Sequence, residues 1–269
     1  MIIDDGSTDN SIKIVKEFSN LDKRIKLLNR NREPKGANTC RNIGIENAKG
    51  EFLIFLDSDD LLAQNCLSKR LDLIEKNDGY DMYVFNMSKL HTRNQKKRIY
   101  KFSSQNPSIK FISGNFPWSI TCPMWKLNAL RKLKGFNEGL SRYQDPEIHL
   151  RACLNNDINI YYFKKTQQIV DSYYRLDEGQ IKKIELQKYI QFSEEYFDIC
   201  YEKIKDVKNS KEDYYMFFPA LLILPINTSF YLININAGKK VILNYINKLY
   251  KKLKIKKRHI NLFKNLVVL

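Results

Sequence analysis

Apolar residues in the first two thirds of this chain come in short runs, separated by stretches with helical spacing. The run Phe52 to Leu56 is too short for a useful helix and stops at Asp57-Ser58-Asp59-Asp60. A run apolar on both faces predicts a central parallel strand covered on both sides. Ahead of it, Ile2-Ile3 reads as a strand end. A helix follows with Ile12, Val15 and Phe18 on one face and Ser7, Thr8 or Asp9 as its cap. A short strand at Ile25 to Leu28 and a helix from Ala37 to Ala48, ended by Gly50, come next. Beyond the acids, the pattern predicts a helix from Gln64 to Lys76 and a strand from Asp81 to Met87. Two β-rich runs, Ile158 to Phe163 and Gln168 to Arg175, close the series. Strands alternating with helices at this spacing predict a doubly wound α/β architecture: a mostly parallel sheet flanked by helices.

Between these elements, Thr92 to Lys110 is polar and irregular, as in a hairpin or an active-site loop. Pro146 fits the first turn of a helix running through Ile148, Leu150, Ala152 and Leu154, with Asp145 as the N-cap. From Ile181 the spacing is helical, with Tyr189, Tyr196, Cys200 and Ile204 on one face. Met216 to Ile233 is nearly apolar, but Pro219, Pro225 and Asn227-Thr228-Ser229 interrupt it. A membrane-spanning helix needs about 20 largely uninterrupted apolar residues, so this stretch reads as a broken or interfacial helical pair. The expected division is a domain at 1–180 and a helical, basic C-terminal region at 181–269.

Composition changes this picture in one place. The 269 residues carry a net charge of +16, yet no acid follows Asp213. Ten cations stand in that tail, among them Lys239, Lys240, Lys248, Lys251, Lys252 and Arg258, so the excess belongs mostly to the tail. A basic amphipathic helix there suits an anionic membrane surface, at about 1 kcal/mol per residue; solvated helix faces explain the lysines as well. Five scattered cysteines have neither metal-site nor disulfide spacing and read as buried thiols in a reducing compartment. The start shows no secretory signal pattern.

Chemistry concentrates at the acids. Ligands of open α/β sheets bind beyond the carboxyl ends of strands. Residues two apart on an extended segment point the same way, which would let Asp57 and Asp59 face one ligand. Two hard oxygen donors suit Mg²⁺ or Mn²⁺ carrying a phosphate. Capping of the strand and the next turn accounts for the same acids, and the acids alone do not decide. Trp118, Trp125 and Tyr143 offer a platform on which a sugar stacks, and equally a set of core rings. His149 reads as packing or solvent-facing.

Taken in order, these pieces resemble the family 2 glycosyltransferases, which use the GT-A (Rossmann-like) fold. The matching residues are Asp4-Asp5-Gly6-Ser7-Thr8-Asp9, then Gly36 with Arg41-Asn42 and Gly44, then Phe55-Leu56-Asp57-Ser58-Asp59-Asp60, which is similar to the family's DxD signature. Gly135-Phe136-Asn137-Glu138, Gln144-Asp145 and Tyr173-Tyr174-Arg175 resemble the acceptor-side segment, the base motif and the closing strand. The family places a strand and helix ahead of the Asp4 strand, so an N-terminal piece is expected to be missing.

The resemblance implies inverting transfer of a sugar from a nucleotide-diphosphate donor, a UDP-sugar, to a hydroxyl of a saccharide or lipid-linked acceptor in surface polysaccharide synthesis. The enzyme type would be hexosyl- or N-acetylhexosaminyl-transferase. It implies that Asp4, Asp5, Arg41, Asp57 and Ser58 hold the nucleotide sugar. Asp59, with Asp57, would hold Mn²⁺ or Mg²⁺, and Asp145 would be the general base. Trp118, Trp125, Tyr143 and Gln144 would face the acceptor. Where the family's closing strand runs on to a histidine, this chain has Asp177, which also ligates divalent cations. Of His91, His149 and His259, none falls at a family metal position. The expected location is the cytoplasm, with the tail able to rest on the inner face of the membrane. Against this stands a non-catalytic nucleotide- or saccharide-binding protein, or an inactive remnant. Nucleic-acid binding is not expected, because Tyr245, Tyr250 and Phe263 sit among aliphatics at helical spacing.

Overall fold

The computed structural model describes residues 1–91, 97–99, 106–163, 170–176, 186–206, 211–234 and 239–253. The chain divides into two compact units. One comprises Met1–Lys101 and Trp118–Asp177, the other Phe102–Pro117 and Glu178–Leu269.

The described residues of the first unit form three sheets. Strand β1 (Ile2–Asp4) lies parallel to β2 (Leu27–Asn29), with α1 (Ser11–Leu21) between them in the chain. Helix α1 caps at Asn10 rather than at Ser7, Thr8 or Asp9, although the Asp9 carboxylate accepts the Ser11 N–H at 3.0 Å. None of its residues is buried, and Phe18 and Leu21 are exposed. Helix α2 (Ala37–Asn47) forms as expected.

Only Phe52–Leu53 of the apolar run takes strand geometry (β3). It lies at one edge of a sheet ordered β3-β8-β5-β9, antiparallel to β8 (Pro123–Lys126). The central parallel strand expected there is thus a short antiparallel edge, because Phe52 and Leu53 pair with Lys126 and Trp125 of the oppositely directed β8, while Ile54, Phe55 and Leu56 run on along a cleft without strand pairing. The expected strand at Asp81 to Met87 divides at Phe85. Strand β5 (Met82–Val84) joins this sheet, antiparallel to β8 and parallel to β9 (Ile160–Tyr162). Strand β6 (Asn86–His91) joins the third sheet, ordered β4-β10-β6-β7. There β10 (Val170–Leu176) runs parallel to β6 and antiparallel to β4 (Leu61–Leu62), and β7 (Lys97–Ile99) runs antiparallel to β6. The two four-stranded sheets are therefore mixed in direction, whereas β1 and β2 are parallel. Helices α3 (Cys66–Glu75), α5 (Leu127–Lys132) and α6 (Gln144–Leu154) complete the unit. Ile74, Tyr83, Phe85, Met124 and Phe163 form one buried cluster of its core.

The second unit is helical: α4 (Pro107–Ile112), α7 (Leu186–Asp206), α8 (Lys211–Asn234) and α9 (Lys239–Lys252). The stretch read as a broken pair is one helix, with Pro219 and Pro225 inside it. Each interior proline removes a backbone hydrogen bond. Burial of Phe217, Ala220, Leu221 and Leu224 on α8 offsets that loss. Among the described residues no helix is long and apolar enough to cross a membrane.

Candidate active site

A cleft of about 960 Å³ opens between Ile2, Ile3 and Asp5 at β1 and the segment Phe52–Asp60, with Arg41 of α2 and Gln144 of α6 also lining it. The acids after β3 are not extended. The Asp60 N–H donates to the Asp57 carbonyl at 3.0 Å, so residues 57–60 make a turn. The alternation of an extended strand therefore does not apply to Asp57 and Asp59, yet both still line the cleft. Asp59 and Ser58 are exposed, whereas Asp60 is buried. Asp60 accepts the Arg175 N–H at 3.3 Å and the Thr121 hydroxyl at 3.4 Å, and the Arg175 Nε donates to the Asp59 carbonyl at 2.8 Å. Burial pushes the Asp60 carboxyl up to about 6.

Behind this turn sits an ion pair that sequence reasoning missed. Arg70 on α3 is fully buried and grips Asp171 of β10 through Nε at 2.9 Å and Nη2 at 2.7 Å. Its Nη1 donates to the Thr121 carbonyl at 2.9 Å, and its guanidinium lies 4.5 Å from the Phe85 ring centre. The signal was present: Cys66, Arg70 and Ile74 share the buried face of α3 at a spacing of four.

Arg41 joins the cleft walls. Its Nη2 donates to Asp57 Oδ1 at 2.6 Å and its Nη1 to Gln144 Oε1 at 2.8 Å. Helix α2, which carries it, is fixed against residues 135–140. Asn42 bonds the backbone of Phe136 in both directions, and Asn38 Nδ2 donates to the Asn137 carbonyl at 2.6 Å. Arg32 adds a fork onto Glu46 and a 2.7 Å bond to Glu138.

Helix α6 begins at Gln144 with Tyr143 as its N-cap, in the left-handed region at φ 55°. Asp145 therefore lies inside the first turn and is not the cap. It is partly buried, and burial pushes its carboxyl up to about 6. The Arg41 charge opposes that rise, as do the N–H groups of Asp145 and Ile120, while the Asp57 charge adds to it. One turn on, His149 is buried between Trp118 and Trp125, its ring stacked 6.0 Å from Trp125. Burial pushes its imidazole down to about 3, leaving it neutral. The acceptor platform expected from Trp118 and Trp125 is corrected accordingly: both rings are core, at 2% and 0% exposure. Tyr143 remains half-buried.

Asp57 and Asp59 offer hard oxygen donors to the cleft, the set with which one or two carboxylates hold Mg²⁺ or Mn²⁺ beside substrate phosphates. Among the described residues no group of three or more His, Cys, Asp or Glu gathers to hold a metal.

The family model for glycosyl transferase family 2 matches residues 1–136, half of the chain. The chain belongs to that family. An uncharacterized glycosyltransferase of Rickettsia conorii is 36% identical over 142 residues, covering 52% of this chain and 22% of that protein. The UDP-Glc:alpha-D-GlcNAc-diphosphoundecaprenol beta-1,3-glucosyltransferase of Escherichia coli is 43% identical over 83 residues, covering 31% of this chain and 32% of that protein. The crystal structure of Staphylococcus aureus TarS 1-349 in complex with UDP-GlcNAc superposes with a TM-score of 0.65 at 18% identity, covering 92% of this chain and 70% of that one. The fold is the GT-A fold. The chain spans between 22% and 30% of the length of the first curated relatives it matches.

Within this family 2 chain the other expected site residues fall as follows. The Asp4 carboxylate is taken up by its own loop, accepting the Gly6 N–H at 2.9 Å and the Ser7 N–H at 3.0 Å. Asp5 lines the cleft and pairs with Arg30 at 2.6 Å. Asp177 lies outside the described residues, as does the tail beyond 253. On α9, Lys248 and Lys252 pair with Glu194 and Asp198 of α7, so part of the tail charge is neutralised within its own unit.

Proposed function

We propose that this chain carries out inverting transfer of a sugar from a UDP-linked donor to a hydroxyl of a saccharide or lipid-linked acceptor. The observation that carries the reading is the guanidinium of Arg41, bonded to Asp57 on one side and to the residue preceding Asp145 on the other. In this reading Asp145 accepts the proton of the acceptor hydroxyl, a role typically worth a factor of about 10² to 10⁴. Its partly buried setting raises its basicity toward neutral pH. Asp5, Ser58 and Arg41 line or border the cleft on the nucleotide side. Asp57 and Asp59 would hold Mn²⁺ or Mg²⁺, which when bound neutralises charge growing on the departing diphosphate. Support for a UDP-sugar comes from the Staphylococcus and Escherichia proteins, and for a lipid-linked acceptor from the Escherichia protein, whose names state those ligands for themselves. The excess of basic residues after Asp213 would favour attraction to an anionic membrane surface.

Calorimetric titration of UDP into the chain, with and without Mn²⁺ and beside Asp59→Ala, tests the reading. The expected result is binding that Mn²⁺ strengthens and that Asp59→Ala weakens to its metal-free level. Identical binding in all three conditions would overturn metal dependence. Binding without release of UDP from any UDP-sugar would instead favour a non-catalytic nucleotide-binding protein.

A further inference from the structure

We propose that Gln144 is a positioning residue: with Arg41 it ties the start of α6, and so Asp145, to Asp57 across the cleft, so that one guanidinium sets the distance between the donor-side and acceptor-side carboxylates. The proposal deepens the reading above and rests on it for the roles of Asp57 and Asp145.

The carboxamide of Gln144 is used at both ends. Oε1 accepts from Arg41 Nη1 at 2.8 Å and Nε2 donates to the Leu140 carbonyl at 3.1 Å. A guanidinium can only donate and a carbonyl can only accept, so the partners fix which end of the amide is which. The group reads as a brace between α2 and α6 rather than as an acceptor-sugar contact. Arg41 holds the other end with a rigid planar fork, each terminal nitrogen aimed at a different acceptor, which a lysine's single charge cannot reproduce. The fork itself is well supported. The Arg41 side chain is 12% exposed, and its guanidinium lies over the Phe136 ring at 5.3 Å. Asn38 Oδ1 accepts a third bond from it at 3.3 Å.

The brace fixes where a positive charge stands relative to Asp145. Among the described residues, the groups that act most strongly on this carboxyl are Arg41 on α2, Asp57 on the acid turn and the Ile120 N–H, and it acts in turn on the Cys122 thiol ahead of β8. On its own helix, Glu147 is paired with Arg151 and His149 is neutral. Arg41 is the one cation in that set, and Gln144 is what holds it toward α6 rather than toward Asp57 alone.

The test needs no turnover, so it stands apart from the success or failure of the proposed activity. The Asp145 carboxyl carbon is followed by NMR across pH in the full chain and assigned by its loss in Asp145→Asn. In Arg41→Gln the titration midpoint is expected to rise by about one pH unit, because an opposite charge has been removed from close range. In Gln144→Met, nearly the same in size but without either bond, it rises by less. The double variant titrates like Arg41→Gln alone, since Gln144 acts only through Arg41. A midpoint unmoved by Gln144→Met, or shifts from the two substitutions that simply add, would overturn the proposal. If Arg41→Gln does not fold, Gln144→Met beside Arg41→Lys decides: the lysine keeps the charge but cannot bond Asp57 and Gln144 together, so the midpoint should rise in both, and a midpoint unmoved in both counts against the brace.

Discussion

Asn42 pairs with the backbone of Phe136 as a neighbouring strand would: its Oδ1 accepts the Phe136 N–H at 2.8 Å and its Nδ2 donates to the Phe136 carbonyl at 2.9 Å. The same Nδ2 reaches Glu138 Oε1 at 2.8 Å. This clasp fixes the helix that carries Arg41 to the segment that leads into α6. It also explains Gly135. At φ 65° the residue is in the left-handed region, and an added Cβ would stand 2.3 Å from Asn42 Oδ1.

The clasp predicts large stability losses from small substitutions. Asn42→Ala strands a buried N–H and a buried carbonyl, each costing about 1–3 kcal/mol. Asn42→Asp keeps the acceptor but loses the donor and sets a carboxylate against Glu138. Gly135→Ala adds about 1–2 kcal/mol of backbone strain to a clash. Urea denaturation should show all three less stable than the parent, with Asn42→Asp no better than Asn42→Ala. A stability unchanged in Gly135→Ala would mean that the clasp relaxes at little cost.

Asp145 predicts opposite effects on stability and activity. Its folded carboxyl titrates near 6, above the ordinary value of 3.8. Below 3.8 both folded and unfolded forms are protonated, and the raised value has no effect on stability. As pH rises through the window from 3.8 to 6 the unfolded chain loses its proton first, so the folded state is progressively disfavoured. Asp145→Asn has no proton to lose. It should therefore unfold at higher urea than the parent at pH 7.5, with the advantage shrinking at pH 4.5. The same variant should lose about 10²- to 10⁴-fold in sugar transfer while UDP binding is kept. Parent activity should fall as pH drops through about 6.

Much of this arrangement was legible in the chain, and the rest failed for identifiable reasons. Helix α2 was readable because its start after Gly36 and its stop before Gly50 are local signals. The direction of β3 was not, because it depends on pairing with Trp125 and Lys126, more than seventy residues away. The division of the Asp81 to Met87 run at Phe85 depends on two different neighbours, β8 and β10, one on either side of the break. For the site, the acids at 57–60 and Asp145 could be named from motifs. The brace that relates them joins Arg41 to Gln144 across 103 positions. Burial decided the tryptophans: the same rings that suit a sugar platform also fill a core, and only packing against His149 separates the two.

The Arg70–Asp171 pair predicts an asymmetry between breaking it and replacing it. Both side chains are buried, at 0% and 1% exposure. Asp171→Asn leaves an uncompensated guanidinium in the interior, and such losses run to about 3–5 kcal/mol. Replacing both groups, as Arg70→Met with Asp171→Leu, removes the charge and should recover much of that stability. The Thr121 carbonyl would lose a donor in the double variant. Recovery should therefore be incomplete, and the acid turn, tied to Thr121 through Asp60, should show altered amide chemical shifts. A double variant no more stable than Asp171→Asn would place the loss in packing rather than in charge.

Arg41 also predicts how a divalent cation binds. One oxygen of Asp57 is engaged by Arg41 Nη2 at 2.6 Å, so a metal seeking that carboxylate competes with a charge-assisted hydrogen bond. Mn²⁺ alone should bind weakly, and UDP should tighten it because the diphosphate brings further oxygen donors. By reciprocity Mn²⁺ must tighten UDP by the same factor, expected to be at least about tenfold, within the usual range of such couplings. Arg41→Gln frees Asp57 and should strengthen Mn²⁺ binding in the absence of UDP, even as it weakens UDP. Electron paramagnetic resonance of free Mn²⁺, titrated with chain and with UDP, reads both quantities. Mn²⁺ affinity that ignores both UDP and the Arg41 substitution would place the cation away from Asp57.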